Sequence, residues 1–194
     1  MNLQEQGYRV LIVSASDSFN TTLRTLLPEA VYSLVQFVSN IGEAQRTVLE
    51  NAFDFIIINS PLPDDTGIRF SIDMCGQKGT VVLLFIRNES YDITHEKVGK
   101  YGVFTLPKPT SRQMVIQALY WLSSARERLR KLEKKAVSIE EKMEEIRLVN
   151  RAKWLLIDKL KMTESDAHRF LEKQAMDRCI SRREAAECVI RTYS

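Results

Sequence analysis

After Pro109 the chain has no glycine and no proline: all seven Gly and all five Pro of its 194 residues lie between Gly7 and Pro109. Because these are the strongest punctuators of local structure, their absence from residue 110 onward excludes a turn-rich fold there and implies long helices. Cysteine is scarce too. Cys75, Cys179 and Cys188 sit in no CxxC or Cys/His ligand spacing, which argues against a metal cluster or a disulfide framework and reads as free thiols. No apolar run approaches the roughly 18 residues that span a bilayer. The opening MNLQEQGYR has neither the basic region nor the apolar core of a signal peptide, so a cytoplasmic protein away from membranes is expected. With no nucleophile–base set, no phosphate-cradling loop and no metal cluster, neither an enzyme nor a bound cofactor is expected.

What is there divides at the same place. Residues 1–109 hold 9 Lys/Arg against 12 Asp/Glu, whereas 110–194 hold 19 against 13, so the helical half is the basic half. A basic, helical segment points first to a polyanionic partner such as nucleic acid, the plain alternative being a solvated helical surface.

In the first half, short apolar runs (Tyr8 to Val13, Tyr32 to Val38, Phe53 to Asn59, Val81 to Ile86, Val103 to Leu106) alternate with amphipathic segments such as Asp17 to Leu27 and Ile41 to Asn51. Uninterrupted apolar strands between helices imply βαβ units with both sheet faces covered. The expected fold class is therefore α/β: a flavodoxin-like, doubly wound parallel sheet. In such sheets ligands sit at the carboxyl ends of the strands. There, Phe53-Asp54-Phe55-Ile56-Ile57-Ile58-Asn59-Ser60-Pro61-Leu62-Pro63-Asp64-Asp65-Thr66-Gly67 and Leu106-Pro107-Lys108-Pro109 resemble strand three with its loop, and the end of strand five, of a response-regulator receiver domain.

The resemblance places the phosphoryl-accepting position on Asn59, an amide, and the Mg²⁺-holding acidic pair on Ser14 and Ala15. Phosphoryl transfer on this fold needs a nucleophilic carboxylate and a metal held by anionic oxygens, and only Lys108 of the set is retained. The usual small hydroxyl at the end of strand four is replaced by the bulk of Phe85-Ile86-Arg87. Asp17, Asp64 and Asp65 are read as a helix-start acid and turn residues. The implied domain is a pseudo-receiver, a docking or dimerisation surface.

From Leu122 the apolar residues follow a seven-residue repeat: Leu122, Leu129, Ala136, Met143 and Asn150 at one position, and Ala125, Leu132, Ile139 and Ile146 three residues later. These are a and d of a coiled coil, although a single amphipathic helix packed on its own domain would carry a similar stripe. In a parallel pair each g residue meets e′ five positions on. Arg128 then faces Glu133 and Lys135 faces Glu140, both attractive, while Lys142 against Arg147 is repulsive, so a parallel homodimer is expected.

Two capping signals, Thr163-Glu164-Ser165-Asp166 and Ser181-Arg182-Arg183-Glu184, divide the remainder into helices near 145–160, 164–178 and 182–192. Leu155, Leu156, Leu160, Ala167, Phe170, Leu171, Ala175, Ala186, Val189 and Ile190 give them apolar faces. The expected organisation is a pseudo-receiver over 1–122, a coiled-coil linker over 123–146 and a small three-helix all-α domain over 147–194.

That last domain holds 11 Lys/Arg against 7 Asp/Glu. Its blocks Asn150-Arg151-Ala152-Lys153-Trp154-Leu155-Leu156, Thr163 to Leu171, Gln174-Ala175-Met176-Asp177-Arg178 and Glu184-Ala185-Ala186 resemble the ANTAR domain, the RNA-binding output module of bacterial antitermination regulators. Trp154 departs from the family, which has a small residue there, as does His168, where an aromatic is common. The resemblance implies a dimer that binds hairpins in a leader transcript and prevents a terminator from forming. Candidate RNA contacts are Lys153, Arg169, Lys173 and Arg178 for the backbone, with Arg151, Arg182 and Arg183 as further basic candidates and Gln174, Ala175 and Met176 as a base-contacting surface; Ala175 and Met176 read equally well as core. A ligand-responsive protein that sequesters the dimer, as in regulators of the amidase-operon type, is an implied further partner. The reading from a different class is a signalling adaptor that binds a protein through its coiled coil and helical tail.

Overall fold

The computed structural model describes residues 7–77 and 79–193; residues 1–6, on which much of the signal-peptide expectation rests, lie outside them. The first compact unit ends at Lys131 and the second begins at Leu132.

In the first unit, β1 (Arg9–Val13), β2 (Leu34–Val38), β3 (Phe55–Asn59), β4 (Val81–Arg87) and β5 (Phe104–Lys108) form one sheet in the order β2-β1-β3-β4-β5, all neighbours parallel. Between them lie α1 (Asp17–Leu26), α2 (Ile41–Glu50), α3 (Ile68–Cys75) and α4 (Tyr91–Gly99), and α5 (Arg112–Leu160) follows β5. The expected doubly wound sheet is thus observed. Alternation along each strand sends side chains to opposite faces. Val10, Ile12, Phe55, Ile57, Leu83 and Phe85 meet α1 and α5 on one face, while Leu11, Ile56, Ile58, Val82 and Leu84 meet α2, α3 and α4 on the other.

Asp54, read from the sequence as part of the third strand, instead precedes β3 and anchors α5. Its carboxylate accepts hydrogen bonds from the Arg9 amide (2.9 Å), Arg126 Nε (2.7 Å) and Arg130 Nη2 (3.0 Å). Arg130 also donates to Glu127 (2.7 Å), which accepts from the Tyr8 hydroxyl (3.0 Å). Burial pushes the Asp54 pKa up, but the Arg9 amide and the two guanidiniums outweigh it and hold it below the ordinary value.

This anchoring corrects the expected seam. Leu122 is fully buried in the sheet unit's core, and Ala125 and Leu129 pack against it. The first turns of the heptad stripe coincide with the face α5 needs to cover the sheet: Val115, Ala118, Leu119 and Leu122 continue at helical spacing into Ala125 and Leu129. From Leu132 onward the stripe is open: Leu132, Ala136, Ile139, Met143, Ile146 and Asn150 are all exposed.

In the second unit, α5 continues to Leu160 and is followed by α6 (Glu164–Asp177) and α7 (Arg182–Tyr193). Both capping signals are made: Asp166 N donates to Thr163 Oγ1 (3.2 Å), Ser181 N to Glu184 Oε2 (2.8 Å), and Glu184 N back to Ser181 Oγ (3.2 Å). The core is Ala152, Leu156, Ala167, Leu171, Ala186 and Val189, with Phe170 and Ile190 partly buried against it. Leu160, expected in this core, is exposed at the last turn of α5, and Leu155 is only partly buried, on the flank of the helix. Ala152, one turn before Leu156, supplies the buried contact instead.

Lacking glycine, the second unit reverses its chain with side-chain-bearing residues in the left-handed region, Lys161 (φ 54°) and Cys179 (φ 51°). A Cβ disfavours that conformation. Lys161→Gly is therefore expected to stabilise this unit by about 0.5–1 kcal/mol after the entropy of the freer unfolded chain is deducted, a rise readable by thermal denaturation.

Candidate functional site

At the carboxyl end of the sheet, where the resemblance to receivers locates their chemistry, neutral side chains are hydrogen-bonded to one another and to a single lysine. Asn59, Ser14 and Ser60 are buried. Asn59 Nδ2 donates to Ser14 Oγ (3.1 Å), and Lys108 Nζ donates to Asn59 Oδ1 (2.6 Å) and to the Ser60 carbonyl. Burial, and then the Arg87 guanidinium, push the Lys108 pKa below the usual lysine range. Ala15 is exposed and brings no oxygen beyond its backbone. Phe85 is fully buried and receives Phe19 edge-on at 4.9 Å.

The nearby acids are engaged elsewhere. The Asp64 carboxylate accepts from the Ile41 and Gly42 amides (3.0 Å each), capping α2 from across the loop. Those amides hold its pKa below the ordinary value. Asp65 Oδ1 accepts from Gly67 N (2.6 Å), and Asp17 stands in the first turn of α1. Among the described residues no group of His, Cys, Asp and Glu could hold a metal ion.

The second region is the exposed side of the helical unit. Ala167, Leu171 and Ala175 recur every four residues and are the buried stripe of α6. At about 100° per residue, Arg169, Lys173 and Met176 fall together on the opposite, solvent face, all exposed. Met176 is 77% exposed, so it is not core. Ala175 is buried, which removes it from the proposed base-contacting surface: it lies on the stripe that α6 packs inward. Gln174 is at the margin, partly buried.

The other basic candidates are partly engaged. Lys153 pairs with Glu164 (3.2 Å), Arg183 with Glu187 (3.1 Å) and Arg182 with Glu145 (3.9 Å). Arg178 Nη1 lies 3.5 Å from Cys188 Sγ. His168 is exposed and sits 3.3 Å from Glu172. Among the described residues, Arg151, Arg169 and Lys173 are exposed cations with no acidic partner. No described helix is long and apolar enough to cross a membrane.

Comparison with known proteins bears on both regions. Residues 138–190 match the family model of the ANTAR domain. The chain is 27% identical over 184 residues to the transcriptional regulatory protein PdtaR of Mycobacterium tuberculosis, in strains CDC 1551 / Oshkosh and ATCC 25618 / H37Rv alike, covering 95% of this chain and 90% of that protein. Its sheet unit has the receiver fold. It is similar to the chemotaxis response regulator CheY4 of Vibrio cholerae (24% identity, 60% of this chain and 99% of that one, TM-score 0.52). It is also similar to the signal receiver domain of an HD domain-containing protein of Pseudomonas fluorescens Pf-5 (18% identity, 68% and 97%, TM-score 0.57).

Proposed function

We propose that this chain is an RNA-binding regulator of transcription antitermination. In this reading it acts in the cytoplasm as a parallel dimer on hairpins of a leader transcript, with a receiver-fold domain that takes no phosphoryl group at Asn59. The observation that carries the reading is the solvent face of α6, where Arg169, Lys173 and Met176 stand together within an ANTAR domain. Cations placed four residues apart can follow a phosphate backbone, and an exposed thioether beside them offers apolar surface to an unpaired base. Holding the hairpin that competes with a terminator changes which RNA fold forms, so no bond need be made or broken.

The dimer is supported by the stripe from Leu132 to Asn150, which is solvent-exposed in a single chain and narrow as a two-stranded seam requires. Asn150 at an a position would fix register and the dimeric state.

The test is the affinity for a two-hairpin leader RNA against its loop-scrambled copy, at about 50 and 200 mM salt. Phosphate-dominated binding weakens by orders of magnitude over that range. Preference for the intact loops is expected; equal affinity for both would end the specific reading. Binding to neither would favour an adaptor for a protein partner.

For the sheet unit, incubation with a small phosphodonor and Mg²⁺ is expected to leave the intact mass unchanged. The Asn59 amide is a poor nucleophile, and its oxygen already accepts from Lys108. A phosphorylated species by mass spectrometry would refute this.

A further inference from the structure

One large side chain of the helical unit has no place in its own core. Trp154 is 72% exposed on α5, although an indole is usually well buried in a folded domain. It lies four residues beyond Asn150, on the flank of the exposed stripe that includes Met143 and Ile146. On the other flank is a groove of about 390 Å³ between α5 and α6, whose apolar walls are Ile146, Val149 and Leu171. Val149 and Trp154 are five residues apart, about 140° around the helix. They therefore border the stripe on opposite sides, and Trp154 cannot turn into the groove of its own chain.

A two-fold axis between parallel helices exchanges the two flanks. In the register that pairs Arg128 with Glu133 and Lys135 with Glu140, the next g position after Lys142 is Val149, and its e′ partner five residues on is Trp154. The repeat that sets charge against charge at its start thus sets an apolar wall of one groove against an exposed indole at its end. We propose that in the dimer Trp154 of each copy docks into the Ile146–Val149–Leu171 groove of the other, so that the seam ends in a reciprocal pair of tryptophan anchors within the RNA-binding domains.

The occupant is a second copy because both halves of the contact are on this chain, in matching register and in equal number. An aromatic side chain removes roughly 150–250 Å² from water when buried. The indole N–H needs an acceptor on burial, and the groove's rim carries the Glu145 and Glu172 carboxylates.

This inference rests on the parallel dimer proposed above, and one experiment separates the two. Trp121→Phe leaves Trp154 as the only tryptophan of the full chain. Sedimentation of that variant gives its association state, and emission wavelength with iodide quenching gives the environment of Trp154 at the same concentrations. The expected result is a dimer whose emission is blue-shifted and shielded from iodide, moving to the red and becoming quenchable on dilution into monomer. Trp154→Ala should raise the dissociation constant of the dimer about tenfold or more, as expected of an aromatic anchor buried in a pocket. A dimer whose Trp154 emission stays red and fully quenchable overturns the docking and leaves the dimer standing. A monomer at all concentrations overturns both.

Discussion

Arg169→Glu combined with Lys173→Glu is expected to lower affinity for the two-hairpin leader RNA by about a hundredfold or more at 150 mM salt, with the thermal unfolding curve unchanged. Both side chains are exposed on the face of α6 opposite Ala167, Leu171 and Ala175, and neither has an acidic partner among the described residues. Their reversal removes no packing and breaks no ion pair. Two cations lost from the phosphate track should also flatten the slope of log affinity against log salt by about 1.4–1.8, and two carboxylates put in their place add repulsion. The same reversals at Arg182 and Arg183 should cost less, since Glu145 and Glu187 already draw on those guanidiniums. Filter binding or polarisation across a salt series reads all of this. Equal losses at both pairs would mean that the whole basic surface acts, and not the α6 face.

Asp54→Ala is expected to destabilise the sheet unit by about 2–4 kcal/mol, read as a lower urea midpoint. The carboxylate is the shared acceptor of two guanidiniums: its side chain is 12% exposed, and those of Arg126 and Arg130 are 14% and 29% exposed. Removing the shared acceptor of a mostly buried ionic group leaves two guanidiniums desolvated and short of their carboxylate, which is costlier than the pairing was favourable; partial exposure, and the Glu127 carboxylate that Arg130 keeps, hold the figure at the lower end of such losses. The folded-state pKa of Asp54 lies below its ordinary value. Its contribution is therefore complete above the unfolded carboxylate pKa of about 3.9 and is lost as the pH falls through the lower folded value. The stability gap between wild type and Asp54→Ala should stay constant from neutral to mildly acidic pH and close only in strong acid. A gap that closes near neutrality would assign the effect to another group.

How far the sequence carries differs at four places. The sheet was legible because β-branched runs and amphipathic segments alternate with no competing pattern, and Asn59 and Lys108 could be placed because Phe53 to Gly67 and Leu106 to Pro109 resemble the corresponding stretches of receiver domains. The start of the seam was not, because a heptad stripe and a sheet-covering face have nearly the same period. Leu122 satisfies both, and only the position of the sheet decides that it is buried. The Asp54 anchor was illegible for a different reason. Its partners Arg126 and Arg130 are 72 and 76 residues away and sit in a charged stretch whose local pattern resembles any solvated helix. In the helical unit, four-residue spacing placed Ala167 and Leu171 inside. The same spacing includes Ala175, which makes a small residue beside Met176 a packing position and not a contact surface.

Strand β3 carries the Asp54 anchor just before its first residue and Asn59 as its last, and all five of its residues are buried, with β1 on one side and β4 on the other. The edge strand β2 is only partly buried along most of its length and exposed at Leu34. Amide protons of Ile56, Ile57 and Ile58 therefore reach solvent only when the whole sheet unit opens, while those of β2 escape through local fraying. Exchange at β3 is a clock for global unfolding, and both ends of the strand keep the same time.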